Sequence, residues 1–547
     1  MCLGGLPSRH IFVIEHDFVI EHGSGKIMTS YDSVPYPSYS YAVTDPASLN
    51  AVAKIFGLNP PDYNTANVLE LGTASGGNLI PMASRYKKAR FHGIDISEPQ
   101  IEQAIKNAAN LKLKNIKFEE KSILDVNFEG ALFDYIIVHG VYSWVTSDVQ
   151  QRIFDICSSY LSPQGIAYIS YNTLPGWNMV KTIRDMMLYH GQNFDDPTVK
   201  ITEARKMLEF VANNNKIEKG SYKQTIEAEI KTIQDQNDNY LLHDHLEVVN
   251  DPCYLHEFVS AAETFQLKYL ADSDLPSMYL GNQKEEVLNI LGTIPDPVRQ
   301  EQYLDFITNR RFRMTLLTHQ NLKINRNLSP DCLEGLYFKR NYRVKEKIDI
   351  NKIGALKTIT LVPINGGQAE VTISSRISAI SFIVLHEFPP FTMSIYDIAD
   401  EAHKRYLKNI NVTKIQEEIG TFFLQLIFTG VVAVRSEKAA NVFEISSKPE
   451  VFNYALQQAL IYDMVPNLYH DMVKLTDSQR LIVQYVNGNN SVDDIAVKLE
   501  NHVHKGELSI HKEGILVSVK DETFKETLNL FLENELNILK NCGLLSS

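Results

Sequence analysis

The sequence predicts a doubly wound α/β core, then a helical middle domain, then a C-terminal pair of winged-helix-like units. Three observations carry this. Short apolar runs alternate with segments of helical period between residues 67 and 172. From 178 to 320 strand signals cease, and Met, Leu, Glu and Lys recur at helical spacing. In the last third, SIYDIADEAHK from Ser394 and SVDDIAVKLEN from Ser491 form a weak internal repeat.

Residues 1–64 read as an N-terminal arm and lid. FVIEH occurs twice, at 12–16 and 18–22, either as a hairpin arm or as a segment upstream of a true start at Met28. Residues 28–64 are rich in Tyr, Ser and Pro and read as an irregular lid with a helix over 47–56. The core spans 65–177. NVLEL is its first strand and 77–86 its first helix; FHGIDI, a helix over 98–111, NIKFEE and FDYIIVH follow. The last is a continuous apolar run, as a parallel strand covered on both faces requires. A helix over 148–161 and the strand IAYISYN complete the alternation.

Residues 178–325 form the helical domain, placed to cover the carboxyl edge of the sheet. Residues 326–547 hold a hairpin around Asn365-Gly366-Gly367 and the two repeats. In each repeat a Ser N-cap and an Asp three residues later make a helix start. An apolar helix precedes each (377–386 and 477–486). In the first copy a helix (413–429) and a strand (431–434) follow, which is the plan of three helices and a wing.

Bulk numbers narrow the function classes. The 547 residues carry a formal net charge of −13, which suits a basic peptide and disfavours non-specific nucleic-acid binding. The second repeat opens its helix with Asp493 and Asp494, so protein binding is expected there rather than DNA recognition. Five scattered cysteines form no CxxC pair and no HExxH occurs, so no disulfide framework and no metal site are expected, and a cytoplasmic location fits. No apolar run is long enough for membrane insertion.

The core's first turn carries the chemistry. In a doubly wound sheet, ligands bind beyond the carboxyl ends of the strands. Here Glu70 ends the first strand, and the glycines are spaced G72-x-x-x-G76-G77. A dinucleotide site uses GxGxxG so that the backbone can approach a pyrophosphate. This turn has no GxG, and its carboxylate would repel a pyrophosphate. It suits S-adenosylmethionine (SAM), which bears a sulfonium and an ammonium. Asp95 ends the second strand and can accept from both ribose hydroxyls. Ser122 and Ile123, after the third strand, stand where the adenine edge and face would lie. Gln100 can reach the ribose. Thr73 and Asn78 in the turn, Ile96 beside Asp95, and Gly140 beside His139 complete the expected cofactor site, with Tyr31 and Tyr36 closing over it from the lid.

The stretches YDSVPYP, ELGTASGGNLIPMA, HGVYSWV and SYNTLPGW resemble bacterial class I SAM-dependent methyltransferases (Rossmann-like) that carry a methyltransferase regulatory domain. They resemble in particular the rickettsial enzymes that methylate lysines of an outer-membrane protein. The segments 240–275 and 301–319 are similar to that regulatory domain. The resemblance covers about residues 28–320 and implies methyl transfer from SAM, with S-adenosylhomocysteine as product, to lysine ε-amines of a surface protein.

For the chemistry, His139-Gly140-Val141-Tyr142 stands where amino-group methyltransferases hold an Asn/Asp-Pro-Pro-Tyr loop; only the aromatic is kept. His139 is expected to hold SAM or accept a proton, or else to make a structural hydrogen bond. Tyr142 would flank the amine or pack. Trp144, Tyr171 and Trp177 would line a lysine channel by cation–π attraction, or belong to the core. Asn172 would bond the substrate. Two rival readings stay open: a small-molecule methyltransferase whose extra domains serve a homodimer, and a SAM-responsive interaction protein without catalysis.

Overall fold

Where alternate residues of a strand are apolar on both sides, both faces of a sheet can be buried, and the central strands here show it. The computed structural model describes residues 38–547 apart from 215–219, 235–237, 347, 349–352, 354–355, 357, 368 and 513. Tyr31, Tyr36 and both FVIEH segments lie outside the described residues. Seven strands form one sheet: β1 (Asn67–Leu71), β2 (Arg90–Asp95), β3 (Ile116–Glu120), β4 (Phe133–Val138), β5 (Leu161–Asn172), β6 (Leu267–Asp272) and β7 (Phe312–His319). Their order is β3-β2-β1-β4-β5-β7-β6. β1 to β5 pair in parallel, and β7 runs antiparallel to both β5 and β6.

Val68, Tyr135, Ile137, Ile166 and Tyr168 point to one face and pack with the helix Pro46–Ile55 and the C-terminal helices. Leu69, Leu71, Ile136, Val138 and Ile169 point to the other, against the helices Ser147–Tyr160 and Leu255–Thr264. The predicted doubly wound core is therefore present. One expectation fails: the segment 178–320 is not purely helical. Its helices Trp177–Gly191, Pro197–Asn214, Ser221–Gln234 and Asp238–His245 are followed by β6 and β7, which complete the sheet. Those strands hid because they carry buried polar and charged residues. Arg313 on β7, with no exposed surface, is held by Asp305 (2.8 Å) and Glu301 (3.1 Å).

The C-terminal region begins with short strands, including the predicted hairpin Ile359–Pro363 with Val371–Ile373. The first repeat forms the helices Arg376–Glu387, Ile395–Arg405 and Val412–Phe428 and the strand Val432–Arg435. The second forms Asp477–Val483, Val492–His504 and Phe524–Asn541, with a small hairpin His511–Lys512/Ile515–Leu516 as its wing. Ser394 with Asp397 and Ser491 with Asp494 both make capping boxes. A further hairpin, Met464–Pro466 with Met472–Lys474, carries the turn that brings His470 against the core. Among the described residues no helix is long and apolar enough to cross a membrane.

Candidate active site

β1 and its neighbours β2 and β4 mark the point where strand order reverses, and a cleft of about 340 Å³ opens there, lined by the carboxyl ends of the strands. The turn after β1 is built around glycine. Gly72 has φ +75°, and a Cβ on it would lie 2.4 Å from Val141 Cγ2. A Cβ on Gly77 would lie 2.2 Å from the Ser38 carbonyl oxygen. The chain before the first helix thus lies directly on the turn, and the Gly77 N–H donates to Ser38 Oγ (2.7 Å).

Glu70 is buried, and its hydrogen bonds come from neutral groups. It accepts from Asn78 Nδ2 (2.6 Å) and Thr73 Oγ1 (2.7 Å). Burial outweighs those two bonds and pushes its carboxyl up to about 7. Asn78 Oδ1 in turn takes the Tyr41 N–H (3.1 Å), the Thr44 hydroxyl (3.1 Å) and His470 Nε2 (2.8 Å). Asp95 accepts the N–H groups of Ala74 (2.8 Å) and Ser97 (3.0 Å), one on each oxygen, which fixes its carboxylate at the cleft wall. Ile96 is 57% exposed on the rim. Gln100 presents a buried Oε1 without a hydrogen-bond partner, and Asn172 presents such an Nδ2; both residues line the cleft. Ser122 and Ile123 line it as well, with Ser122 capping the short turn after β3.

His139 lies 2.9 Å from the Tyr168 hydroxyl through Nδ1, and its ring stands 3.8 Å from that of Tyr41. Burial lowers its pKa to about 4, so it is neutral near pH 7. Gly140 and Trp144 also line the cleft. The Arg184 guanidinium stands 5.3 Å from the Trp144 ring centroid, and Trp177 meets that ring edge-on.

The structure does not place every expected residue there. Gly76 faces Phe118 and Ile80, not the cleft. Tyr142 is 5% exposed and packs among Phe154, Tyr171 and Phe258. After Gly140 the chain enters a single 3-10 turn, Tyr142–Trp144. That turn leaves Val141 and Trp144 at the cleft and sends Tyr142 into the core beneath the sheet. Tyr171 stacks on Phe258 at 4.1 Å, and Trp177 donates to Asn250 (2.6 Å); both are core residues. Tyr142→Phe is therefore expected to keep turnover within about twofold, while Tyr142→Ala costs about 3–5 kcal/mol of stability. Steady-state rates beside urea midpoints check both. Sequence reasoning also missed Tyr41, Phe312, His243 and Asp244, all on the cleft. Tyr41 was one tyrosine among many, and the last two sit in a segment that reads as an ordinary amphipathic helix.

Known proteins share this fold. Residues 63–229 match a methyltransferase domain, 237–319 a predicted methyltransferase regulatory domain, and 447–544 the C-terminal winged-helix domain of PKMT. The solved structure of PKMT2 from Rickettsia typhi in complex with AdoHcy is 32% identical. It covers 94% of this chain and 100% of that one with a TM-score of 0.84. This chain belongs to the PKMT family of methyltransferases. A second relative, the uncharacterized protein RP789 of Rickettsia prowazekii, is 39% identical over 93% of both chains. The cofactor of the PKMT fold is SAM, and the residues fit it. Gly140 leaves open space at the cleft wall, the carboxylates of Glu70 and Asp95 line the end near the glycine turn, and the unpartnered Gln100 and Asn172 atoms offer hydrogen bonds.

Proposed function

We propose that this methyltransferase acts on lysine ε-amines of a protein, with a bacterial outer-membrane or surface protein as substrate. The observation that carries the reading is the end-to-end similarity to a rickettsial PKMT, a protein-lysine methyltransferase by name. The cleft supports it. Beyond the cofactor residues it is walled by Trp144, Phe312 and Tyr41, with Asp244 among them, a setting of aromatic faces and carboxylate that suits an ammonium.

SAM supplies a methyl group on a cationic sulfonium. The chain's residues do the rest. Asp95 is set to hold the ribose, and Glu70 offers a carboxylate to the cationic end. Ser122 and Ile123 bound the adenine end, and the neutral His139 ring packs the cleft beside Tyr41. Asn172 points a donor inward. Alignment at near-attack distance, rather than covalent help, is what such a displacement needs. The winged-helix units serve protein binding in this reading, and the enzyme works in a reducing cytoplasm. Labelled methyl transfer to an unfolded recombinant surface protein, with the sites mapped by mass spectrometry, tests it. Methylation of small amines or alcohols but never of polypeptide lysine would favour a metabolite substrate instead.

Glu70 adds a pH prediction. Its carboxyl is raised to about 7, so between the ordinary carboxylate range and about pH 7 the folded protein holds a proton that the unfolded chain has released. Stability from this group therefore falls as pH rises through that window. A cationic ligand favours the ionised form, so SAM affinity is expected to rise about tenfold between about pH 6 and 8, with proton release. Calorimetry in buffers of different ionisation enthalpy measures this, and Glu70→Gln is expected to flatten the dependence.

A further inference from the structure

The helix Asp238–His245 brings a carboxylate to the cleft that the cofactor residues do not use. Asp244 lines the cleft, and its Oδ2 is buried with no hydrogen-bond partner. The nearby Arg184 does not satisfy it. Its two terminal nitrogens go to the backbone carbonyls of Asp244 and of Glu247 (2.6 Å), while its guanidinium stacks on Trp144. Arg184 thereby fixes the end of this helix against the aromatic wall and leaves the carboxylate facing the cleft.

The other groups of the cleft are poor partners for an ammonium that must lose a proton. Glu70 already takes two side-chain donors. Asp95 takes two backbone N–H groups at the ribose end. His139 is neutral and, at about 4, a weak base. Burial holds the Tyr41 phenol above its ordinary range, so it stays protonated. Asn172 presents a donor.

We propose that Asp244 anchors the ammonium of the incoming amine and takes its proton. This rests on the reading of the acceptor as an amine. A proton passes from R–NH3+ to the Asp244 carboxylate, leaving the neutral amine. The nitrogen lone pair forms the bond to the methyl carbon, and the carbon–sulfur bond breaks with its electron pair on sulfur. The product leaves as a methylammonium, and Asp244 returns its proton to solvent. Burial, opposed by His243 and Arg184, raises the Asp244 carboxyl to about 7, which narrows its gap from an amine near ~10.4. The charged and titratable groups facing it are His243 on its own helix, Arg184 and Tyr41, with Glu70, Asp95 and His139 lining the same cleft.

The decisive experiment uses the full chain. Calorimetry measures n-butylamine binding to protein loaded with S-adenosylhomocysteine, for wild type, Asp244→Asn and Asp244→Ala. Both variants are expected to bind the amine at least about tenfold more weakly, with S-adenosylhomocysteine affinity within about twofold. On an unfolded surface protein, kcat is expected to fall about 100-fold or more, and the acid limb of the pH profile to disappear. Unchanged amine affinity in the variants, or no amine binding by wild type, overturns the proposal. Asp244-dependent amine binding without any protein-lysine methylation keeps the anchor and rejects the protein substrate.

Discussion

Asp95→Ala is expected to weaken SAM binding by about 100-fold or more. A carboxylate that accepts from both ribose hydroxyls makes two charge-assisted bonds, each worth about 1.5–3 kcal/mol. Losing both costs about 3–6 kcal/mol, and each 1.4 kcal/mol is about tenfold. The side chain also acts on the backbone, because through the Ala74 N–H it clips the glycine turn to the end of β2. Ala74 itself sits at φ +48°, a conformation that needs such support. The folded core should survive, because Asp95 stands at a strand end and not in an apolar cluster. Calorimetry with SAM and with S-adenosylhomocysteine, beside a thermal melt, separates binding from folding. An unchanged affinity would remove Asp95 from the site and, with it, the reading of the whole cleft.

The parts of this molecule that were legible in its sequence are those whose local pattern and final environment agree. NVLEL and FDYIIVH are apolar because both of their faces are covered. The turn from Glu70 to Asn78 is legible because glycine is required where Val141 and Ser38 approach the backbone. β6 and β7 were not legible, since Asp272, Arg313, Thr315 and Thr318 satisfy one another or distant groups only after the sheet has closed. Tyr142 misled for a related reason: position after the fourth strand was visible, but the twist of one 3-10 turn decides which face of the sheet its ring meets. Asp244 was invisible as chemistry because nothing near it in sequence shows that Arg184, sixty residues earlier, orients its helix toward the cleft.

Distant contacts of the same kind join the C-terminal region to the glycine turn. His470 reaches Asn78, which bonds Glu70. Burial keeps His470 neutral, with its pKa lowered to about 3. Because the Asn78 amide nitrogen donates to Glu70, its oxygen must accept, so His470 Nε2 carries the proton. The winged-helix domain thus holds a residue of the glycine turn in place.

The ion cluster next to that contact is the clamp. Asp45 accepts from Arg85 (2.7 Å), Arg435 (2.7 Å) and the Tyr86 hydroxyl (2.8 Å), and also caps the helix Pro46–Ile55 through Ala47 N–H (2.9 Å). Neither Asp45 nor the two arginines are more than 6% exposed. Burial alone would raise the Asp45 carboxyl, but the Arg435 and Arg85 guanidiniums, with the Tyr86 hydroxyl bond, hold it well below the usual range. Its folded-state value is depressed, so its contribution is present above the ordinary carboxylate pKa and is lost only as pH falls through the lower, folded value. Asp45→Ala is expected to destabilise by about 3–5 kcal/mol, because two buried guanidinium groups lose their shared partner and, among the described residues, Glu437 is the one carboxylate left paired with them. The lost helix cap adds about 1 kcal/mol. Denaturant midpoints at neutral pH measure the loss. The same variant should bind S-adenosylhomocysteine more weakly, since Tyr41 and Thr44, which hold Asn78, closely precede Asp45. A midpoint equal to that of wild type would show that the cluster is not what ties the C-terminal region to the core.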